Sequence, residues 1–271
     1  MTKCEPMKII YSCFPGGRNK VLTMSFDDGR GEDRQLVELF DRYGIRGTFN
    51  ANGGLVNKGR IPLAEYPAVY KGHEVACHTY QHPTIARCPS EQVAAQILAD
   101  RRALEEIMGC PVRGLAYPNG SYSRRVMELL PGLGIRYART IHSTESFDMP
   151  ENLFEWNPTC HFKNNLMELG RQFAALEKPQ YLNMMYVWGH SYEFPILNAW
   201  GLMEEFCGFI GGRADIWYAT NIEIVDYMAM ADRLQYTAAG DRVFNPSFAS
   251  VWLSVDGVPR EIPGGQTVQL F

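Results

Sequence analysis

From Lys20 onward the chain alternates apolar runs of strand length with stretches whose apolar residues recur every three or four positions. KVLTMSFD (20–27) is the first run, and it leads into two adjacent acids, Asp27 and Asp28. EDRQLVELFDRYG (32–44) follows, with apolar residues at 36, 37, 39, 40 and 43 on one helical stripe and Gly44 where a C-terminal cap belongs. RGTFNAN (46–52) and HEVACHT (73–79) read as the next strands. Ser90 is expected to cap a helix that runs to Met108 and closes at Gly109. Strands are predicted over 113–118, 135–139 and 181–189, and helices over 123–134 (interrupted near Pro131), 164–176, 196–211 and 221–234. After Gly240 the pattern changes to short alternating β segments, RVFNPS, ASVWLSVDG and QTVQLF.

This order is that of an α/β chain with a parallel sheet, open or closed as a barrel, whose chemistry is expected at the C-terminal ends of the strands. We expect a barrel body over residues 1–238 and a β-rich extension over 239–271, packed on the barrel.

Composition adds little to that picture except exclusions. A hydrophobic fraction of 46% in 271 residues is enough for one large core, and a net charge of -4 without a long basic run gives nucleic acid or an anionic membrane no footprint. The N-terminal MTKCEPMKIIYSCFPGG lacks an apolar run long enough for a signal-peptide core. Seven cysteines (Cys4, Cys13, Cys77, Cys88, Cys110, Cys160, Cys207) are odd in number and lack paired spacing, which suits reduced thiols and a cytoplasmic location. A homo-oligomer is left open.

Four polar clusters fall at predicted strand ends. In SFDDG (25–29) two neighbouring carboxylates repel each other; a divalent metal satisfies one and leaves the other free to act as a base, while a plain helix N-cap is the alternative. HTYQH (78–82) sets two imidazoles four positions apart, able to share one metal ion. Two His and one Asp leave coordination positions open, the pattern of a catalytic site rather than a structural one. His73, an odd number of residues upstream of His78, is given a structural role. VWGHSYE (187–193) brings His190 to a strand end with Trp188 and Tyr192 as walls, where a buried structural histidine is the alternative. LAYPNG (115–120) turns through Pro118, Asn119 and Gly120 and offers backbone N–H groups to an oxyanion.

Taken in this order, SFDDG, GHEVACHTYQHP, AYPNG and VWGH resemble the NodB-homology polysaccharide deacetylases, carbohydrate esterase family four, over roughly residues 20 to 230. The resemblance implies a distorted (β/α) barrel of seven strands and one divalent ion, with zinc first and Co, Ni, Mn or Fe as alternatives. It implies Asp28, His78 and His82 as ligands, Asp27 as general base, His190 as general acid, and Asn119 as an oxyanion donor. The implied reaction is attack of a metal-bound water on an acyl carbonyl, releasing an amine from a small-molecule or oligosaccharide substrate.

Three departures accompany it. The third motif carries Ala116 where many members have an arginine that orients the base, with Arg113 and Arg124 nearby in sequence. The fourth motif's acid and tryptophan are not evident; FEWNPTCHF (154–162) offers Trp156 as a wall and His161 as a polar contact. No export signal is visible in the sequence, which leads us to expect a substrate other than a cell-wall polymer. The leading expectation is a metal-dependent deacetylase of an acylated sugar or sugar conjugate. A hydrolase of cyclic amides or ureides on the same scaffold is the alternative, and a catalytically silent carbohydrate-binding protein the third reading.

Overall fold

The computed structural model describes residues 7–55 and 59–271; Cys4 and the start of the N-terminal segment lie outside them. After β1 (Ile10–Cys13), the main sheet is built from β2 (Lys20–Asp27), β3 (Gly47–Ala51), β4 (Glu74–Cys77), β5 (Gly114–Ala116), β6 (Tyr137–Arg139), β7 (Cys160–His161), β8 (Asn183–Gly189) and β9 (Ile216–Tyr218). Its order is β6-β5-β4-β3-β2-β8-β7, all parallel, with β9 beside β2. Around it lie α1 (Asp33–Arg42), α2 (Tyr66–Val69), α3 (Ser90–Met108), α4 (Arg124–Leu129), α5 (Leu166–Ala174), α6 (Glu193–Leu197), α7 (Trp200–Ile210) and α8 (Asn221–Ala231). A parallel bridge between Arg139 and Trp156 brings the 156–161 segment between the two ends of the sheet. The curled sheet is thus the distorted barrel the sequence led us to expect.

All eight residues of β2 are buried, because the strand has neighbours on both sides and covered faces on both surfaces. Period two then sorts them. Leu22, Met24 and Phe26 join Leu36, Phe40 and Phe49 in the core under the helices. Val21, on the other face, joins Tyr137, Trp156, Met184 and Tyr186 in an interior cluster. Thr23, Ser25 and Asp27 share that second face, so the strand delivers Asp27 to the barrel interior at its C-terminal end.

The C-terminal region adds β10 (Gln235–Tyr236), β11 (Arg242–Phe244), β12 (Val251–Val255), β13 (Val258–Ile262) and β14 (Thr267–Gln269) in two antiparallel sheets. β1 pairs with β12, so the first strand of the chain belongs to the last part of the fold. Tyr227 of α8 ties the two together: its hydroxyl donates to the Cys13 carbonyl at 2.5 Å and accepts the Trp252 N–H at 2.9 Å.

Several elements differ from expectation. Ser90 is the first helical residue rather than a cap; its hydroxyl accepts from Arg125 at 2.9 Å instead. The helix expected over 196–211 is two, α6 and α7, divided where Asn198 takes a positive φ of 50°. β7 and β9 escaped notice, since runs of two and three residues carry no readable period.

Candidate active site

Asp27 occupies the centre of the barrel mouth. Asn50 Nδ2 donates to its Oδ1 at 2.9 Å, and Arg139 Nη2 donates to Oδ1 at 2.6 Å and Oδ2 at 2.5 Å. His78 Nε2 and His190 Nε2 each stand 3.9 Å from Oδ2, which is therefore the less occupied oxygen and the one that faces incoming groups. Burial opposes the charge on Asp27, but Arg139, His78 and His190 outweigh it and hold the pKa at about 2.

Beside Asp27 lies a three-donor cluster, Asp28, His78 and His82, whose ligand atoms all lie within 4.8 Å of one another. His78 Nδ1 donates to the Ala116 carbonyl at 2.8 Å, which leaves the Nε2 lone pair turned inward. His82 Nε2 lies 3.1 Å from it. Two imidazole nitrogens at that distance need a proton or a cation between them or beside them, and burial lowers the His78 pKa to about 4, which disfavours the proton. The donor set suits a divalent metal with open positions.

The backbone around these donors is unusual. Asp28 (φ 83°), Thr79 (φ 63°) and His82 (φ 56°) all adopt the left-handed region, which costs a β-branched residue such as threonine most. Asn52 Nδ2 bridges the His78 and Thr79 carbonyls at 2.7 Å each. Asp100 of α3 accepts the His78 N–H at 3.0 Å and the Gly53 N–H at 2.6 Å. Arg60 donates to the Asp28 carbonyl, to Asn52 Oδ1 at 2.9 Å and to Asp28 Oδ1 at 3.3 Å. One network thus holds both halves of the cluster.

On the opposite side His190 Nδ1 lies 3.3 Å from Glu193 Oε2, and His161 Nε2 lies 3.0 Å from the same oxygen. His161 Nδ1 accepts the Lys163 N–H at 3.3 Å, so its hydrogen sits on Nε2 and is given to Glu193. The three groups are also close enough for an ion, but this tautomer makes them a hydrogen-bonded chain. Burial disfavours charge on His190, yet Glu193 and Asp27 prevail and raise its pKa. Glu193 itself is held well below the usual carboxylate range: the two imidazoles overcome its burial.

The turn at Pro118–Gly120 has Gly120 N–H bonded to the Tyr117 carbonyl, while no partner for the Asn119 N–H is present among the described residues. Asn119 is exposed at φ 57° and available as a donor; Pro118 is buried beneath it. Trp188 stacks against Arg139, 4.6 Å from guanidinium to ring, and lies edge-on to His161.

The structure therefore brings together Asp27, Asp28, His78, His82 and His190, with Asn119 and Trp188 at the rim. Trp156 is elsewhere: it is fully buried between Tyr137 and Tyr186, a core residue and no wall. His161 touches Glu193 rather than the Asp28–His78–His82 cluster. His73 is structural, accepting the Gly47 N–H at 2.9 Å. Arg113 and Arg124 pair with Asp226 and Glu128 and leave Asp27 to Arg139, which sequence reasoning missed. A charged residue closing the short apolar strand IRYAR was the available signal. Glu193, three residues after His190 in HSYE, was likewise legible but unread.

Residues 15–138 match the polysaccharide deacetylase family. In fold the chain is similar to a Mycobacterium smegmatis protein assigned to the polysaccharide deacetylases, with a TM-score of 0.62 at 15% identity over 81% of this chain and 93% of that one. It is 31% identical over 117 residues to a chitooligosaccharide deacetylase of Sinorhizobium fredii, 41% of this chain and 53% of that protein. It is 27% identical over 95 residues to a bifunctional xylanase/deacetylase of Pseudobutyrivibrio xylanivorans, 35% of this chain and 16% of that protein. The chain thus spans about half the length, or less, of these curated relatives.

Proposed function

We propose that this chain, whose residues 15–138 match the polysaccharide deacetylase family, is a metal-dependent hydrolase that removes an N-acetyl or related acyl group from a sugar or sugar conjugate. The observation that carries the reading is the position of Asp27 Oδ2, equidistant at 3.9 Å from the ligand-type nitrogen of His78 and from His190 Nε2. A base, an acid and a three-donor metal cluster then share one mouth, as amide hydrolysis requires.

Asp28, His78 and His82 are the residues that would hold the ion, zinc being the first choice for such a set. A divalent ion there would lower the pKa of water and offset the charge developing on the acyl oxygen. Asp27 Oδ2 takes the proton of the attacking water; Arg139 and Asn50 keep the carboxylate ionised and aimed. His190, protonated through the influence of Glu193, gives its proton to the departing amine. Asn119 N–H is the donor available to the acyl oxygen.

As part of the same proposal the protein works in a reducing, cytoplasmic compartment, a view supported by the free state of the six described cysteines. Among the described residues no helix is long and apolar enough to cross a membrane.

The test is acetate release from N,N′-diacetylchitobiose and small acetylated sugars after chelation, with and without added Zn, Co or Mn. Release restored by metal and abolished in His78→Ala supports the reading. Bound metal with no acetate from any sugar transfers the proposal to cyclic amides or ureides, and a chain that binds no metal at all sinks both.

A further inference from the structure

Arg30 stands at the barrel mouth, and the reaction described above makes no use of it. Its guanidinium lies 5.2 Å from the ring of Tyr192, whose ring is 5.1 Å from that of His190. On another side it rests against Gly59, where a Cβ would come within 3.3 Å of the Arg30 Nη2. Backbone pairing of Arg30 with Arg60, and the Gly31 N–H on the Gly59 carbonyl at 2.9 Å, fix the loop that carries it.

This cation is held but not answered. Arg30 Nε is buried without an acceptor, as are those of Arg60 and Arg139, but among the described residues no carboxylate pairs with the Arg30 guanidinium. Its neighbours differ: Arg60 is bonded to Asp28 and Asn52, and Arg34 to Glu65. A half-buried charge without a partner is costly, and a planar guanidinium packed against Tyr192 and Gly59 is the kind of group that takes an oxyanion through its terminal Nη donors.

We propose that Arg30 is a specificity residue that receives a carboxylate or phosphate group carried by the acylated substrate. Because Tyr192 links it to His190, the anionic group belongs to the amine half of the substrate, the half that His190 protonates on departure. This rests on the deacetylase reading and narrows it to acidic acylated amino sugars.

The experiment uses the full chain with zinc restored. N-acetylglucosamine is compared with its 6-phosphate and with N-acetylmuramic acid for kcat/KM. In parallel, calorimetry measures binding of the corresponding free amines. The wild type is expected to favour at least one anionic substrate by about tenfold or more, the worth of a charge-assisted bidentate contact. Arg30→Gln should erase that preference, chiefly through KM, costing the anionic substrate at least about ten times more than the neutral one. Arg30→Lys should restore part of it if phosphate is the partner and little if a planar carboxylate is.

Equal handling of neutral and acidic sugars by the wild type, or equal losses on both in Arg30→Gln, overturns the proposal and leaves the deacetylase reading standing. If no sugar is hydrolysed, the deacetylase reading falls and calorimetry decides for Arg30. Tighter binding of the anionic amine that disappears in Arg30→Gln upholds its role, and indifference to charge ends it.

Discussion

At the scale of single residues, the two oxygens of Asp27 are unequal. Oδ1 receives Asn50 and Arg139, while Oδ2 receives Arg139 alone and faces the two histidines. Asp27→Asn keeps this shape but loses the carboxylate proposed as proton acceptor. It should retain metal stoichiometry and lower kcat by about 10²–10⁴-fold, as loss of a general base does; metal analysis beside a rate assay checks both, and loss of the metal would mean the two aspartates have each other's roles. His190 owes its raised pKa, against its burial, to Glu193 and Asp27. The general acid proposed at His190 must be protonated to act, so the rate should fall as pH rises through the His190 pKa. Glu193→Gln removes the neighbouring charge that favours the imidazolium, and the alkaline limb of the kcat profile should move to lower pH. An unmoved limb would separate Glu193 from the acid.

At the scale of elements, the interior faces of the strands carry polar groups that answer one another. Glu74 on β4 accepts from Tyr137 of β6 at 2.7 Å, from Thr48 of β3 at 2.9 Å and from the Ile222 N–H of α8 at 2.9 Å. Burial nevertheless pushes its pKa from 4.5 to about 7. A carboxyl whose folded pKa lies above its unfolded value binds more protons when folded, so its contribution to stability declines as pH rises between those two values. Glu74→Gln keeps much of the hydrogen bonding without that titration. Its stability relative to the wild type, measured by urea unfolding, should therefore improve steadily from pH 4.5 to 7; a constant difference would mean that Glu74 is already ionised throughout.

For the molecule as a whole, the C-terminal sheets recruit a strand that precedes the barrel in sequence. β1 comes from the N-terminal segment yet pairs along its length with β12. Val251, Leu253, Val255, Ile262 and Leu270 bury their side chains in that region. Deleting 239–271 would strip β1 of its partner and break the Tyr227 hydroxyl's bridge to Trp252. Losing several kcal/mol of apolar burial in a chain this size should lower Tm by about 10 °C or more, read by calorimetry. A truncated chain that melts with the wild type would make the extension an independent appendage.

The chain by itself determined the α/β repeat, the strand ends where polar clusters gather, and the five residues Asp27, Asp28, His78, His82 and His190 that the fold brings together. Each of those lies in a short window where a strand stops and a polar turn begins, a signal contained in neighbouring residues. Tertiary structure alone decided which distant ends meet. Arg139 reaches Asp27 across 112 positions, and nothing local to IRYAR names its partner. Glu193 was close in sequence, but its value depends on His161 holding it from another strand. Trp156 looked like a wall because an aromatic beside polar residues often is one; the bridge to Arg139 turned it into the core instead. Local composition fixes what a segment can offer, whereas closure of the barrel fixes what each side chain faces.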